Sequence, residues 1–226
     1  MKLSIIIPVY NEERTVVEVI QTVKAVGLPG LDREIIVVND GSKDGTVGAL
    51  GRYDGDRFVR IFHQQNQGKA AAIRRGLLEV TGDLVVIQDA DLEYHPSQYP
   101  QLLAPLLKGE ADAVYGSRFK GRIDAMEPMN RLANVVSNMT FNILFGTRFT
   151  DINTCFKVFR AKDLKAIPLE SAHFAIETEL TAKAIRRGLR VVEVPIAYQA
   201  RTVGQGKKIN WPKALGMYWS IIKYRF

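Results

Sequence analysis

Leu3–Val9, with the sequence LSIIIPV, opens the chain with a run of branched apolar residues. Glu34–Asp40 (EIIVVND) and Asp83–Gln88 (DLVVIQ) have the same character. None of the three alternates polar with apolar residues, which is typical of strands buried on both faces of a parallel sheet. Phe58–Phe62 and Ala111–Tyr115 are predicted as further strands.

Helical patterns separate these strands. Apolar residues recur at helical spacing in Val16–Val26 and in Ala71–Val80, and a further helix is predicted over Ser97–Lys108. Strands that alternate with helices predict an α/β domain with a doubly wound, mostly parallel open sheet flanked by helices.

The second half of the chain has a more mixed pattern. A polar stretch at Lys120–Pro128 precedes an amphipathic helix at Asn130–Phe145, and a helix at Glu177–Arg187 precedes a strand at Val191–Pro195. No linker rich in Gly, Pro or Ser divides the chain. We therefore expect one domain over residues 1–226, with residues 1–118 and 119–226 as its two halves.

Composition excludes several classes of protein. The 226 residues are 46% hydrophobic and 24% charged, which rules out disorder, collagen and coiled coil. The single cysteine, Cys155, excludes an internal disulfide, and the lack of an apolar leader after Met1 and Lys2 points to a cytoplasmic location. Leu132–Phe145 is interrupted by polar residues and is shorter than the roughly 18 apolar residues of a spanning helix.

The net charge of +7 favours an anionic partner or surface. The basic residues are spread along the chain instead of forming a stripe, and no nucleic-acid recognition module is visible. We therefore expect no nucleic-acid partner.

Polar residues follow three of the predicted strands. Tyr10–Glu12 follows the first strand, Asn39–Ser42 ends the second, and Asp89–Glu93 follows the strand at Asp83–Gln88. Ligands of open parallel sheets bind beyond the carboxyl ends of the strands. Asn11 and Asp40 are equally consistent with capping the next helix or turn.

Asp89 and Asp91 are spaced so that both carboxylates can address one cation. Their hard oxygen donors suit Mg²⁺ or Mn²⁺, and Glu93 could add a third ligand directly or through water. Such an ion completes its shell with water and substrate phosphates, so the pair predicts a diphosphate-bearing ligand.

Other phosphate-binding and catalytic motifs are absent from the sequence. Gly68 and Lys69 lack the upstream Gly and the following Ser or Thr of a Walker loop, and no Gly-x-Gly-x-x-Gly follows the first strand. The histidines have no metal-ligand spacing, and no Gly-x-Ser-x-Gly is present.

Ile5–Glu12, Val38–Thr46, Asn66–Lys69 and Asp89–Asp91 together resemble the inverting nucleotide-sugar glycosyltransferases of family two, which have a GT-A fold. Gly116–Arg118, Arg131, Asp151–Lys157 and Pro195–Lys208 are similar to polyprenyl-phosphate hexose synthases of the dolichol-phosphate-mannose type. The resemblance implies transfer of a hexose from a GDP- or UDP-sugar to dolichyl or undecaprenyl phosphate.

The resemblance also implies roles for individual residues. A divalent metal would be held by Asp89, Asp91 and Glu93. The acceptor phosphate would meet Arg118 and Arg131. The nucleotide would be bound by Pro8, Tyr10, Glu12, Asp40, Lys69, Asp89, Ala90, Arg201 and Lys207.

A lipid phosphate needs no general base, because a monoester with a second pKa of about 6 is already ionised at neutral pH. If the acceptor were instead a saccharide, Glu177 or Glu179 could serve as base. The alternative for these two residues is a solvated helix start, where acids favour the helix dipole.

Docking on a membrane surface would give access to a polyprenyl acceptor. The helix at Asn130–Phe145 and the aromatic and basic tail at Trp211–Phe226 suit the headgroup layer. The spacing of Leu132, Val135, Val136, Met139 and Ile143 fits burial in the core equally well. Two rival functions are a soluble transferase acting on a saccharide or small hydroxyl acceptor and a non-catalytic binding module.

Overall fold

The structure, a computed structural model, describes residues 1–171, 175–201 and 211–225, with only the helical backbone for residues 211–217. The strands are β1 (Lys2–Val9), β2 (Asp32–Asp40), β3 (Val59–Gln64), β4 (Leu84–Ile87), β5 (Ala113–Asp124), β6 (Lys157–Arg160) and β7 (Val191–Gln199). The helices are α1 (Val16–Ala25), α2 (Thr46–Leu50), α3 (Lys69–Glu79), α4 (Tyr99–Leu107), α5 (Pro128–Phe145), α6 (Ala161–Lys165), α7 (Ile176–Arg186) and α8 (Trp211–Arg225).

The strands form one sheet in the order β3-β2-β1-β4-β6-β5-β7. Every pairing is parallel except those of β6, which runs antiparallel to β4 and β5. The predicted doubly wound, mostly parallel sheet is confirmed. Strands from both halves of the chain belong to this sheet, which places residues 1–118 and 119–226 side by side.

Both faces of the sheet are buried, as the uninterrupted apolar strands predict. Along β1, Ile5 and Ile7 enter the core under α1 and α4, whereas Ile6 enters the core under α3. All three are 0% exposed. Burial on both faces explains why polar residues in these strands are confined to their ends.

The second half differs from the sequence prediction in two places. No strand is predicted in the polar stretch from Lys120 to Pro128, but β5 continues to Asp124 and pairs with β7 as far as Gln199. The short strand β6 was not predicted. Only four residues long, it carries too few apolar positions to show a period.

A buried carboxylate, that of Glu34, lies at the amino-terminal ends of the parallel strands. Glu34 is 6% exposed and accepts hydrogen bonds from the Ser4 hydroxyl (2.6 Å) and from the main-chain and hydroxyl groups of Thr81 (2.7 and 2.9 Å). Lys2 and Arg60 each lie 3.0 Å from it. Burial by itself would raise the pKa of Glu34, but these partners outweigh it and lower the pKa from 4.5 to about 2.

We predict that Glu34→Gln lowers the free energy of unfolding at neutral pH by about 1–3 kcal/mol, because the amide cannot satisfy all of these donors. The folded pKa lies below the unfolded value, so the contribution is complete above pH 4.5 and fades as the pH falls towards 2. Urea unfolding at several pH values should show the two proteins converging in acid. The exposed Glu110→Gln variant is the control, and a pH-independent difference would contradict the prediction.

Candidate functional site

The strand order changes direction between β1 and β4, and the region beyond the carboxyl ends of these strands is here called the crevice. The chain leaves β1 towards β2 on one side, and β4 pairs with β1 on the other. Tyr10–Glu12 and Asp89–Glu93 therefore follow neighbouring parallel strands at the same edge, which is where α/β sheets bind ligands. Asp40 ends β2 at this edge as well.

Gln88 shapes the turn that carries the two aspartates. Its side chain is 0% exposed, and its amide donates to the carbonyl oxygens of Asp89 and Tyr94, both at 3.0 Å. Its own oxygen accepts from the Tyr99 hydroxyl at 2.9 Å. Sequence reasoning missed this residue, whose only signal was a polar side chain at the end of an apolar strand.

Asp89 is paired with a lysine. The Lys69 ammonium lies 2.7 Å from Asp89 Oδ1 and 2.9 Å from Glu177 Oε1, and it also contacts Cys155 Sγ at 3.1 Å. Burial would lower the pKa of Lys69, but the charges of Asp89 and Glu177 raise it well above its ordinary value. Lys69 therefore stays protonated. Its ion pairs connect α3 to Asp89, which follows β4, and to Glu177 of α7.

Glu177 and Glu179 do not form a solvated helix start. Glu177 is 6% exposed and Glu179 is 0% exposed. Glu179 pairs with Lys183 at 2.6 Å and accepts from the main-chain N–H groups of Glu170 and Ser171. The expectation of solvent exposure was wrong, because α7 packs its first turn against the sheet.

Asp91 lies near other carboxylates, and the charge of Arg201 offsets their effect on its pKa only in part. Its Oδ1 accepts a bond from Glu93 N at 3.2 Å, and it forms no salt bridge within the part of the chain that is described. Burial and the nearby charges of Asp89 and Glu93 raise the pKa of Asp91 above its ordinary value of 3.8. A site that crowds carboxylates in this way favours a cation.

Glu93 and Glu12 are engaged by the end of β7. Glu93 accepts from the Tyr198 hydroxyl (2.9 Å) and from Arg201 N (2.8 Å). The Arg201 guanidinium bonds Glu12 Oε2 and the carbonyl oxygen of Asp91, both at 2.8 Å. Within residues 1–171, 175–201 and 211–225, no three His, Cys, Asp or Glu side chains are grouped to hold a metal by themselves.

Asp40 holds the loop that leads into α3. It is 2% exposed and accepts from the side chain of Gln64 (2.6 Å) and the main-chain N–H groups of Gln67 (3.0 Å) and Gly68 (2.7 Å). The next residue, Gly41, has φ +70°, and a Cβ there would lie 2.7 Å from Asn66 N. This packing places the N-terminus of α3, which begins at Lys69, at the crevice.

The remaining nucleotide candidates lie around the same crevice. Pro8 and Tyr10 are partly buried at the end of β1, and Ala90 is 3% exposed in the turn after β4. Asn11 does not cap α1. It has φ +53° and accepts from Lys43 N at 2.8 Å, which ties the loop after β1 to the loop after β2. Lys207 lies outside the described residues.

Arg118 forms a buried, two-pronged ion pair with Asp151. Its Nε and one terminal nitrogen each lie 2.7 Å from a different Asp151 oxygen, and Arg118 N donates to the same carboxylate at 3.0 Å. Arg118 is 6% exposed and Asp151 is 0% exposed. The guanidinium also contacts Asn134 of α5 at 3.2 Å and lies over the Tyr198 ring. Arg131, in the first turn of α5, is exposed.

Helix α5 turns its apolar side outward. Its exposed apolar residues, here called the apolar stripe, are Met129 (50%), Leu132 (55%), Val135 (38%), Val136 (42%), Met139 (59%) and Ile143 (79%). On α8, Trp219 (67%) and Ile222 (44%) are exposed as well. The alternative that this spacing reflects core burial was therefore wrong.

Asparagines on the inner side of α5 explain this orientation. Asn138 donates to Thr150 O and accepts from Ile152 N, and Asn142 exchanges the same two bonds with Phe149. Each amide side chain thus donates to a main-chain carbonyl oxygen and accepts from a main-chain N–H group within residues 149–152. The inner side of the helix is thus held by these polar contacts together with the buried Phe141, which leaves the apolar stripe on the surface.

No helix in the described ranges has the length and hydropathy needed to cross a bilayer. The apolar stripe lies on an 18-residue helix that also carries Arg131 and several asparagines.

Comparison with known proteins identifies sequence relatives. The profile of Glycosyl transferase family 2 matches residues 4–167. Glycosyltransferase AglJ from Haloferax volcanii is 29% identical over 210 residues, which cover 92% of this chain and 66% of that protein. Undecaprenyl-phosphate 4-deoxy-4-formamido-L-arabinose transferase from Enterobacter sp. (strain 638) is 30% identical over 210 residues, which cover 91% of this chain and 62% of that protein. The chain thus spans slightly less than two thirds of the length of these relatives.

Solved structures show the same fold. Glucosyl-3-phosphoglycerate synthase from Mycobacterium tuberculosis, in complex with Mn²⁺, UDP and phosphoglyceric acid, superposes with a TM-score of 0.75 at 24% identity, covering 99% of this chain and 76% of that one. Its complex with Mg²⁺ and UDP gives a TM-score of 0.74 at 23% identity, and the match covers 99% of this chain and 77% of that one.

We predict that Asp151→Asn lowers the free energy of unfolding by about 3–5 kcal/mol, because it leaves the buried Arg118 guanidinium without its counter-charge. The chain offers a matched control in Asp112. That residue pairs with Arg190 through the same three kinds of bond, but the Arg190 side chain is 58% exposed. Asp112→Asn should cost much less, because solvent screens the pair. Equal losses in urea unfolding would count against the role of burial.

Proposed function

The chain belongs to glycosyl transferase family 2, and we propose that it transfers a hexose with inversion from a nucleotide-sugar to a polyprenyl phosphate. It is a glycosyltransferase, and its sheet has the GT-A-like arrangement. One observation carries the choice of acceptor: α5 exposes the apolar stripe, and Asn134 of this helix contacts Arg118, which lies over the ring of Tyr198, a residue bonded to Glu93. A lipid phosphate needs both a polar reaction site and an apolar approach.

The donor is proposed to bind in the crevice of the first half, residues 1–118. Pro8, Tyr10, Glu12 and Asp40 would surround the base and ribose, and Ala90, Lys69, Arg201 and Lys207 would face the diphosphate. The tight packing of Asp40 supports a role in shaping this pocket. The donor would be a UDP- or GDP-hexose; UDP is the nucleotide in the solved complexes of the mycobacterial synthase.

The residues present fit a divalent cation at Asp91 and Asp89. The crevice holds the carboxylates of Glu12, Asp89, Asp91, Glu93 and Glu177, against the cations of Lys69 and Arg201 among the described residues. Mg²⁺ is commonly bound by one or two carboxylates plus water and substrate phosphates, so two aspartates suffice. When bound, Mg²⁺ or Mn²⁺ would neutralise charge on the departing diphosphate.

The acceptor phosphate is proposed to meet the second half, residues 119–226, with Arg118 beside it. Arg131 is exposed and so open to a phosphate, whereas Arg118 already binds Asp151 and would orient the wall of the site. An ionised phosphate oxygen forms the new bond to the anomeric carbon while the bond from that carbon to the diphosphate oxygen breaks. No protein base is required, because the attacking oxygen carries no proton.

The membrane surface is proposed to bind the apolar stripe together with Trp219 and Ile222. Anionic lipids would attract the net charge of +7, with the cytoplasmic face as the site of docking. The Enterobacter relative supports this by its name, which refers to undecaprenyl phosphate. Phosphoglyceric acid, present in the mycobacterial complex, represents the rival soluble acceptor.

The test of function is sugar transfer from UDP- and GDP-hexoses to dolichyl and undecaprenyl phosphate, followed by partition of the label into an organic phase. We predict that Asp91→Asn lowers turnover about a hundredfold or more, because the cation that would neutralise the leaving group loses a charged ligand. The exposed Asp54→Asn variant is the control. Normal metal-dependent turnover in Asp91→Asn would refute the metal assignment, and transfer only to phosphoglycerate would favour the soluble acceptor.

Replacement of Met139 and Ile143 by Glu should weaken binding to anionic liposomes about tenfold or more, because two charges would enter the apolar layer. The fold should be unaffected, since both side chains are more than half exposed. Leu78→Glu, at a residue of α3 that is 77% exposed outside the apolar stripe, is the matched control. Sedimentation that is identical for all three proteins would exclude the stripe as the membrane contact.

A further inference from the structure

Glu93 makes three bonds to one short segment of the chain. Its carboxylate accepts from the Tyr198 hydroxyl at 2.9 Å and from Arg201 N at 2.8 Å. Its carbonyl oxygen accepts from Gln199 N at 3.2 Å. Glu93 therefore makes three of the bonds that join the turn after β4 to the end of β7, two segments that lie more than 100 positions apart in sequence.

The segment held by Glu93 carries a cation into the crevice. The Arg201 side chain reaches Glu12 after β1 and the Asp91 carbonyl after β4, both at 2.8 Å. The Arg201 and Glu12 side chains are only 13% and 10% exposed. A guanidinium directed across the crevice in this way depends on where the main chain at position 201 lies.

We propose that Glu93 is a positioning residue for Arg201: it fixes the end of β7 so that the guanidinium lies at the crevice before a ligand arrives. The consequence for binding rests on the proposed function, in which Arg201 meets the diphosphate of a nucleotide-sugar. A cation held in place loses less conformational freedom on binding, and its planar fork matches phosphate oxygens.

This role differs from that of a metal ligand, which the sequence suggested for Glu93. Both carboxylate oxygens already accept a bond from the end of β7, and an ion would compete with those donors. Glutamine at this position keeps an acceptor for Arg201 N and can donate to the Tyr198 oxygen. It carries no charge for a metal. Glu93→Gln and Glu93→Ala therefore separate positioning from metal binding.

The first measurement is amide hydrogen exchange in the protein without ligand. In Glu93→Ala, the amides of Gln199 and Arg201 should exchange about tenfold faster or more, because their acceptors are lost or released. In Glu93→Gln, the exchange rates of these amides should stay within about threefold of the wild-type rates. In the control Glu110→Ala, they should equal the wild-type rates. Unchanged exchange in Glu93→Ala would overturn the proposal.

The second measurement is calorimetric binding of UDP-glucose and GDP-mannose in the presence of Mn²⁺, with Mn²⁺ affinity measured separately by electron paramagnetic resonance. Glu93→Ala and Arg201→Ala should each weaken sugar-nucleotide binding about tenfold. The double variant should be no weaker than Arg201→Ala, because both changes remove the same contact. Mn²⁺ affinity should fall in Asp91→Asn and stay within about twofold in both Glu93 variants.

Each other outcome has a definite meaning. Additive losses in the double variant would overturn the positioning role, and weaker Mn²⁺ binding by Glu93→Gln would make Glu93 a metal ligand. If the wild type binds neither sugar nucleotide, the proposed function fails and with it the consequence for the donor. The exchange measurement still decides whether Glu93 holds the end of β7.

Discussion

The parallel pairing of β1 with both β2 and β4 is the constraint on which the rest of the structure depends. Because the chain leaves β1 in one direction and returns to β4 in the other, the loops beyond these strands diverge and leave a crevice. Glu12, Asp40, Asp89 and Asp91 meet there only because their strands are adjacent and run the same way. The apolar core on each face keeps this alignment rigid.

Electrostatic compensation around the crevice is uneven. Lys69 pairs with both Asp89 and Glu177, and Arg201 pairs with Glu12. Arg118 of the first half and Asp151 of the second half neutralise each other. Asp91 lies beside two other carboxylates, whose effect the charge of Arg201 offsets only in part. The fold therefore stabilises most of its charges internally and concentrates the remainder in the crevice, where a cation and a diphosphate would bind as a unit.

Helix α5 combines polar contacts and the buried Phe141 on its inner side with exposed apolar residues on its outer side. Asn138 and Asn142 satisfy main-chain groups of residues 149–152 that would be costly to bury without partners. Because the inner side of the helix is bonded to residues 149–152, the apolar stripe on the other side is exposed. The same helix meets Arg118 through Asn134, so the surface proposed for lipid and the site proposed for phosphate share one rigid element.

Local sequence determined the strands of the first half, the helices between them and the place of the crevice, since apolar runs and the polar residues that end them are properties of short segments. Tertiary structure alone decided the partners of Lys69, Gln88, Glu93 and Arg118, the extension of β5, and the outward side of α5. A helical period shows that a helix has two sides without showing which one faces the core. Ion pairs and hydrogen bonds between distant segments depend on the packing of the whole chain, and no local pattern encodes that packing.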